Sequence, residues 1–413
     1  MNFHFTPPKG WMNDPNGLIY INRLYHIFYQ YYPDDVVWGP MHWGHCVSRD
    51  FKTFENYPIA LYPEGNDYIF SGSCIYDTDN VSGLGTEDTP ALLAIYTSHN
   101  KVTGEQEQCI AYSHDFKEFH KLKTNPVISN KIGDANYQKE FRDPKVFKNH
   151  IKGGYSMLLA VDHEIQIYHS ADLLTWSKTG SFNPGEYGYS GLCECPDLIP
   201  FETDGKTLWM LSISMVCDDG LLENPRIMQY FVGSFDGDKY TVLESQKKPF
   251  LLDYGPDNYA AVSFSNCDET LIMGWGENWE YISDIPCKNT KGKMTIPRTL
   301  TLRKTNLGYR LFQQPVFVPD SATKATLKAG EKLRTDSGKD KFITISATDD
   351  TITVDRLNAT DTSINMYLEK TCFNVFTAPR SKQGDCDITI IKDENYFEIF
   401  ADSGEIVFSI SAL

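Results

Sequence analysis

Four segments of the 413-residue chain share one pattern. SRDFKTF at 48–54, SHDFKEF at 113–119, SADLLTW at 170–176 and SFDGDKY at 234–240 each read Ser-x-Asp, then Phe, Leu or Gly, with an aromatic residue four places after the aspartate. The pattern returns roughly every 60 residues, room for four short strands and their connections. A unit of that size cannot bury both faces of its own sheet, so consecutive units must stack on one another. The repeat predicts a β-propeller, with about five units between residue 1 and roughly residue 300.

The sequence between the repeats agrees with strands. LIYINRLYHIFYQYY, ALLAIYTS, YSMLLAV, IQIYHS, TLWMLSIS and LIMGWG are short β-rich runs bounded by Gly, Pro, Asn and Asp, and helical periodicity is scarce. Asn22-Arg23 separates two alternating arms and predicts a hairpin with a tight turn. Near residues 315 to 340 the composition turns polar and poor in aromatics, which marks a boundary region. KFITISATDDTITVDRL, CDITIIKDENYFEIFA and EIVFSIS beyond it alternate like half-buried strands. The expected architecture is all-β, a five-bladed propeller over 1–315 followed by a short C-terminal β-sandwich over 316–413.

A formal charge of −17 repels phosphate backbones and anionic lipid, which excludes a nucleic-acid or membrane-surface partner. No basic, then apolar, leader opens the chain and no segment approaches the length of a membrane span, so a cytoplasmic location is expected. The ten cysteines include no C-x-x-C pair. Cys193 and Cys195 flank Glu194 on one extended segment, where they should point the same way without bridging, and zinc ligation is not expected at that spacing.

Propellers gather residues from the inner strands of different blades at one end of the central channel. Three acidic residues have that potential: Asp14 in WMNDPNG, Asp143 in EFRDPKV and Glu194 in LCECPDL, each close to a proline and to apolar strand residues. Asn, Asp, Pro and Gly all favour turn dihedrals, so GWMNDPNG is expected to be a turn that presents Asp14.

Taken in order, WMNDPNG, FYQYYP, VWGPMHWGHCVSRD, FSGS, FRDPKV, ECPD, DYGPDNYAA, GWGENW and TIPRTL resemble the motifs of glycoside hydrolase family 32, the β-fructofuranosidases that include invertase and sucrose-6-phosphate hydrolase. The resemblance covers nearly the whole chain. It implies a five-bladed propeller followed by a β-sandwich, and a retaining, exo-acting hydrolysis of sucrose, with sucrose 6-phosphate and short fructo-oligosaccharides as further candidates. A fructosyltransferase and a non-catalytic fructan-binding propeller are the alternative readings.

By the same resemblance Asp14 is the nucleophile, Glu194 the general acid and base, and Asp143 the carboxylate that holds two ring hydroxyls. Trp11, Asn13, Gln30, Trp38, Phe70, Ser71, Arg142 and Trp275 would line the fructose pocket, with Tyr259 and Trp279 as weaker candidates. The chemistry asks for a low pKa at Asp14, supplied by turn N–H groups and Asn13, and a raised one at Glu194, favoured by Asp14 and the neighbouring cysteines. It needs no metal and no organic cofactor. The expected partner is a small sugar, and a homo-oligomer is compatible with the sequence. Asn258 and Ser263 depart from the family pattern on the leaving-group side.

Overall fold

The computed structural model describes residues 3–218, 224–246, 248–338, 341–360 and 374–413. Residues 10–315 form five sheets taken up in chain order. The first comprises Gly10–Ile21, Leu24–Tyr32, His42–Ser48 and Glu55–Asn56, and the second Asp67–Asp77, Ala91–Asn100, Gln106–Ser113 and His120–Lys121. The third comprises Phe141–Lys148, Tyr155–Val161, Glu164–Ser170 and Ser177–Phe182. Gly191–Thr203, Lys206–Cys217, Arg226–Phe235 and Tyr240–Val242 build the fourth, with Phe250–Leu251 beside its third strand. The fifth runs through Tyr259–Ser263, Leu271–Trp275, Arg298–Thr305 and Gly308–Pro315.

The opening strand of each sheet packs against the opening strands of the sheets before and after it, and the fifth packs against the first. The ring closes through Tyr20 N donating to Ser265 O at 3.0 Å and Ser265 N donating to Leu18 O at 2.8 Å. Apolar clusters fill the spaces between sheets, such as Leu158, Ile167, Leu211 and Phe231 between the third and fourth. This is a five-bladed β-propeller, as the repeat predicts.

The repeat itself is the turn from the third to the fourth strand. Asp50, Asp115, Asp172 and Asp236 each accept two backbone N–H groups, from the second and third residues after the aspartate, at 2.7–2.9 Å. The residue after each aspartate is left-handed: Phe51 (φ 57°), Phe116 (φ 64°), Leu173 (φ 64°) and Gly237 (φ 102°). The fifth sheet makes the same connection with a short Thr305–Gly308 turn and lacks the pattern. Asn22 and Arg23 both have positive φ, the geometry of a two-residue hairpin turn whose twist suits the flanking strands.

Two further four-stranded sheets follow. One has the order Thr323–Leu327, Cys386–Asp393, Tyr396–Ala401, Ile406–Ser411, and the other Lys332–Gly338, Lys341–Ala347, Thr351–Asp355, Val375–Pro379. They share one apolar core that includes Ile343, Ile345, Val354, Ile390, Phe397 and Phe408, the packing of a β-sandwich. The polar stretch expected to be a boundary region instead supplies the first strand of each sheet. Both lie at a sheet edge, where lysine and other polar side chains face water, which is why they do not alternate like core strands.

Candidate active site

GWMNDPNG is not a turn. It is the first half of the Gly10–Ile21 strand, interrupted by a β-bulge between Met12 and Pro15 and another between Asn16 and Ile19. All five opening strands carry such an irregularity. The others fall between Ile69 and Gly72, between Arg142 and Lys145, between Glu194 and Asp197, and between Tyr259 and Val262. Asp143 (φ 60°), Cys195 (φ 44°) and Ala260 (φ 54°) are left-handed there. A bulge breaks the in-out alternation of a strand and re-aims its side chains. Proline lacks the ladder N–H, and Pro15, Pro144 and Pro196 sit at three of the bulges.

The bulges turn their polar side chains into one cavity of about 470 Å³, lined by Asn13, Asp14, Gln30, Trp38, Phe70, Ser71, Arg142, Asp143, Glu194 and Trp279 among others. Asp14 comes from the first sheet, Asp143 from the third and Glu194 from the fourth. Asn13 Nδ2 donates to Asp14 Oδ1 at 3.1 Å and Ser71 Oγ to Asp14 Oδ2 at 2.7 Å. Cys195 N donates to Asp143 Oδ2 at 2.9 Å, and the Cys195 thiol lies 3.6 Å from both that oxygen and Asp14 Oδ2. Arg142 Nη2 donates to Glu194 Oε1 at 2.9 Å, and the Tyr259 hydroxyl donates to Glu194 Oε2. Two residues after Asp143, Lys145 Nζ pairs with Asp197 Oδ2 at 3.0 Å and donates to Ser263 O at 2.8 Å, which ties the third sheet to the fourth and fifth.

Two expectations need correction. Trp11 and Trp275 do not line the cavity; they are 1% and 0% exposed and belong to the apolar core between the first and fifth sheets. They pack against Trp279, ring centroids 5.7 and 4.8 Å away, and it is Trp279 that reaches the cavity. Trp11 still acts on the site, because its Nε1 donates to Asn13 Oδ1 at 2.9 Å and so turns the Asn13 amide N–H toward Asp14. Cys193 and Cys195 do not point the same way either. The bulge sends Cys193 into the core between the third and fourth sheets and Cys195 into the core of the first and fifth.

The electrostatics of the cavity also reverse the expectation. Burial raises the Asp14 carboxyl above its usual value, more than the Ser71 and Asn13 hydrogen bonds lower it. Burial likewise pushes Asp143 up to about 7, against the pull of Arg142 and with the push of Asp14 and Glu194. Burial works in the same direction on Glu194, but the Arg142 guanidinium and the hydrogen bonds from Tyr259 and Arg142 outweigh it, and the carboxyl is held low. Among the described residues no backbone N–H donates to the Asp14 carboxyl; its donors are the two side chains and the thiol.

Sequence reasoning missed the wall contributed by the second and third sheets: His99, Thr103, Gly104, Gln106, Tyr137, Lys139 and Glu140. His99 stacks on Phe70 with centroids 4.3 Å apart. Most of these residues lie on or beside connections, whose paths no local pattern fixes. Glu140 alone carried a signal: it stands two residues before Arg142, on the same side of an extended segment. Among the described residues no group of three or more His, Cys, Asp or Glu side chains is arranged to hold a metal ion.

Residues 4–315 match the model of the glycosyl hydrolases family 32 N-terminal domain. The chain is 41% identical to a levanase of Bacillus subtilis (strain 168) over 352 residues, 83% of this chain and 49% of the levanase. It is 38% identical to an extracellular exo-inulinase of Meyerozyma guilliermondii over 333 residues, 76% of this chain and 62% of that protein. The chain thus spans about half to three fifths of the length of these relatives. Among solved structures, an exo-inulinase from Aspergillus awamori superposes with a TM-score of 0.86 at 28% identity, covering 100% of this chain and 93% of that one. A fructofuranosidase from Schwanniomyces occidentalis, solved with fructosylnystose, gives 0.83 at 27% identity, with 99% and 90% coverage.

Proposed function

The chain belongs to glycosyl hydrolase family 32, and from that premise we propose that it is a retaining, exo-acting β-fructofuranosidase that releases terminal fructose from sucrose or short fructo-oligosaccharides. The observation that carries the reading is the meeting of Asp14, Asp143 and Glu194, from three different sheets, in one cavity.

In this reading Asp14 attacks the anomeric carbon of the fructosyl unit while Glu194 gives its proton to the departing oxygen. The bond formed is an ester between fructose and the Asp14 carboxyl, and the bond broken is the glycosidic one. Glu194, now ionised, takes a proton from water, and the resulting hydroxide breaks the ester, so that the product keeps its anomeric configuration. Asn13 and Ser71 hold both oxygens of Asp14 and fix its angle of attack. Asp143, 7% exposed, accepts ring hydroxyls and stabilises the positive charge that develops on the sugar. Phe70 and Trp279 offer rings to the apolar faces of the sugars.

Substrate entry reconciles the chemistry with these directions. Sugar hydroxyls that donate to Asp143 and Asp14 favour the ionised forms of both, and with both carboxylates ionised the proton is favoured on Glu194. The proton held by the cluster in the free enzyme is then on the group that faces the leaving oxygen.

The test is fructose release from sucrose, sucrose 6-phosphate and 1-kestose by the purified protein and by Asp14→Ala at equal concentrations. Release that disappears in the variant supports the reading, and the ratio of rates identifies the substrate. Binding of these sugars without release would favour a carbohydrate-binding propeller instead.

A further inference from the structure

The guanidinium that holds Glu194 is shared with a fourth carboxylate. Arg142 Nη1 donates to Glu140 Oε2, and Nη2 donates to Glu194 Oε1. Glu140 is itself fixed: Gln106 Nε2 donates to the same Oε2 at 3.0 Å, and Gln106 Oε1 accepts from Phe141 N at 2.8 Å. The Glu140 backbone N–H donates to Asp162 Oδ1 at 3.1 Å. The result is a line of contacts that crosses from the second sheet through the third to the fourth, Gln106 to Glu140 to Arg142 to Glu194, along the wall of the cavity.

A buried guanidinium paired with one carboxylate makes that carboxylate a poor proton donor, because it stabilises the ionised form. Shared between two, it does so less, and the second negative charge also repels the first. We propose that Glu140 is a positioning residue for the general acid: by holding one end of the Arg142 fork, it leaves Glu194 only a share of that positive charge and keeps it available as a proton donor. The inference rests on the proposed acid role of Glu194.

The other groups that face Glu194 act differently. Tyr259, from the fifth sheet, donates to its second oxygen. Arg226, from the third strand of the fourth sheet, adds a weaker positive field and is already paired with Glu280 at 3.0 Å. Asp14 and Asp143 stand across the cavity and Cys193 and Cys195 flank it in the chain, the cysteines with thiols that burial keeps neutral. Around Glu140 the near groups are Arg142, Gln106 and the cavity-lining Lys139 and His99. Asp143 also pairs with this guanidinium, its Oδ2 3.9 Å from Arg142 Nε, but among the described residues Glu140 and Glu194 are the two carboxylates that accept hydrogen bonds from it, one at each Nη.

The experiment is the pH dependence of kcat on sucrose or 1-kestose for the wild type, Glu140→Gln and Glu140→Asp, whose alkaline limb reports the acid in the substrate complex. Glu140→Gln keeps the shape of the side chain and removes its charge, and its alkaline limb should move down by about one pH unit. Glu140→Asp keeps the charge and should return the limb most of the way to the wild-type position. On a fructoside with a leaving group that needs no proton, both variants should turn over within about threefold of the wild type. A Glu140→Gln limb in the wild-type position, or an equal loss at every pH and with both leaving groups, overturns the proposal and leaves Glu140 a structural residue. Should Glu140→Gln fail to fold, Glu140→Asp carries the same test, with a smaller shift in the same direction expected. The parent reading is tested separately: if Glu194→Gln retains the alkaline limb of the wild type, Glu194 is not the acid, whatever Glu140 does.

Discussion

At the scale of single residues, one proton distributed over three carboxyls governs the chemistry. With Asp143 raised to about 7, the free enzyme loses that proton as the pH passes about 7, and kcat/KM for sucrose should fall above that value. A flat profile to pH 9 would contradict it. Asp14→Ala should lower kcat on the order of 10⁴-fold while the far-ultraviolet spectrum stays unchanged, since the nucleophile has no substitute in the cavity. Tyr259→Phe removes a hydrogen bond to the ionised form of Glu194 and should move the alkaline limb of kcat upward, opposite to Glu140→Gln. The three carboxyls were legible in the sequence because each stands in a short motif with an adjacent or nearby proline. Trp11 and Trp275 were misread because a tryptophan in a motif can serve the site from behind, as Trp11 does through Asn13. The directions of the pKa shifts were not legible, since they depend on Arg142 and Tyr259 reaching Glu194 from other sheets.

At the scale of the element, the bulged opening strand is the device that makes the site. Gly72 shows how tight it is: a Cβ there would stand 2.0 Å from Ile95 O, and its N–H donates to Asn16 Oδ1 at 2.9 Å. The bulges were invisible as such, because WMNDPNG carries every mark of a turn; Pro15, Pro144 and Pro196 were the signal, and Pro15, read as part of a turn, is like the other two a strand residue at a break in the ladder. The Ser-x-Asp repeat was fully legible and has a separate role. Asp172 accepts Leu174 N and Thr175 N at 2.9 and 2.7 Å and Ser170 Oγ at 3.0 Å in a turn remote from the cavity lining. Asp172→Ala should lower stability by about 1–2 kcal/mol, read as a fall in Tm, with kcat unchanged. A loss of activity without a loss of stability would show that the turn is more than a connector.

At the scale of the molecule, the propeller and the sandwich are joined by buried charge. Arg298 of the fifth sheet bonds Asp253 at 2.9 Å and Glu398 of the sandwich at 2.8 Å, and Arg356 of the sandwich pairs with Asp257 at 3.3 Å, two residues before Tyr259. His4 closes the same junction, its Nδ1 3.0 Å from Asp393 and its Nε2 2.9 Å from Glu398. Burial alone would lower its pKa, but these two carboxylates raise it above the ordinary value. A group with a raised pKa in the folded state adds stability that is complete below its unfolded value, about 6.5, and disappears as the pH rises through the folded one. The Tm should therefore decline as the pH is raised above about 7, and His4→Gln should flatten that decline; a variant with the same slope would remove His4 from the account. The propeller could be read from the period of the repeat. The junction could not, because its residues lie up to 394 positions apart.

The central claim is a two-step displacement in which Asp14 takes the fructosyl unit and Glu194 then activates water. Its most direct test is the anomer of fructose first released from sucrose, followed by NMR before mutarotation. The account predicts that β-fructofuranose appears first and the α anomer grows in afterwards. The α anomer appearing first would mean that water attacks the sugar directly, and the assignment of Asp14 as nucleophile would fall.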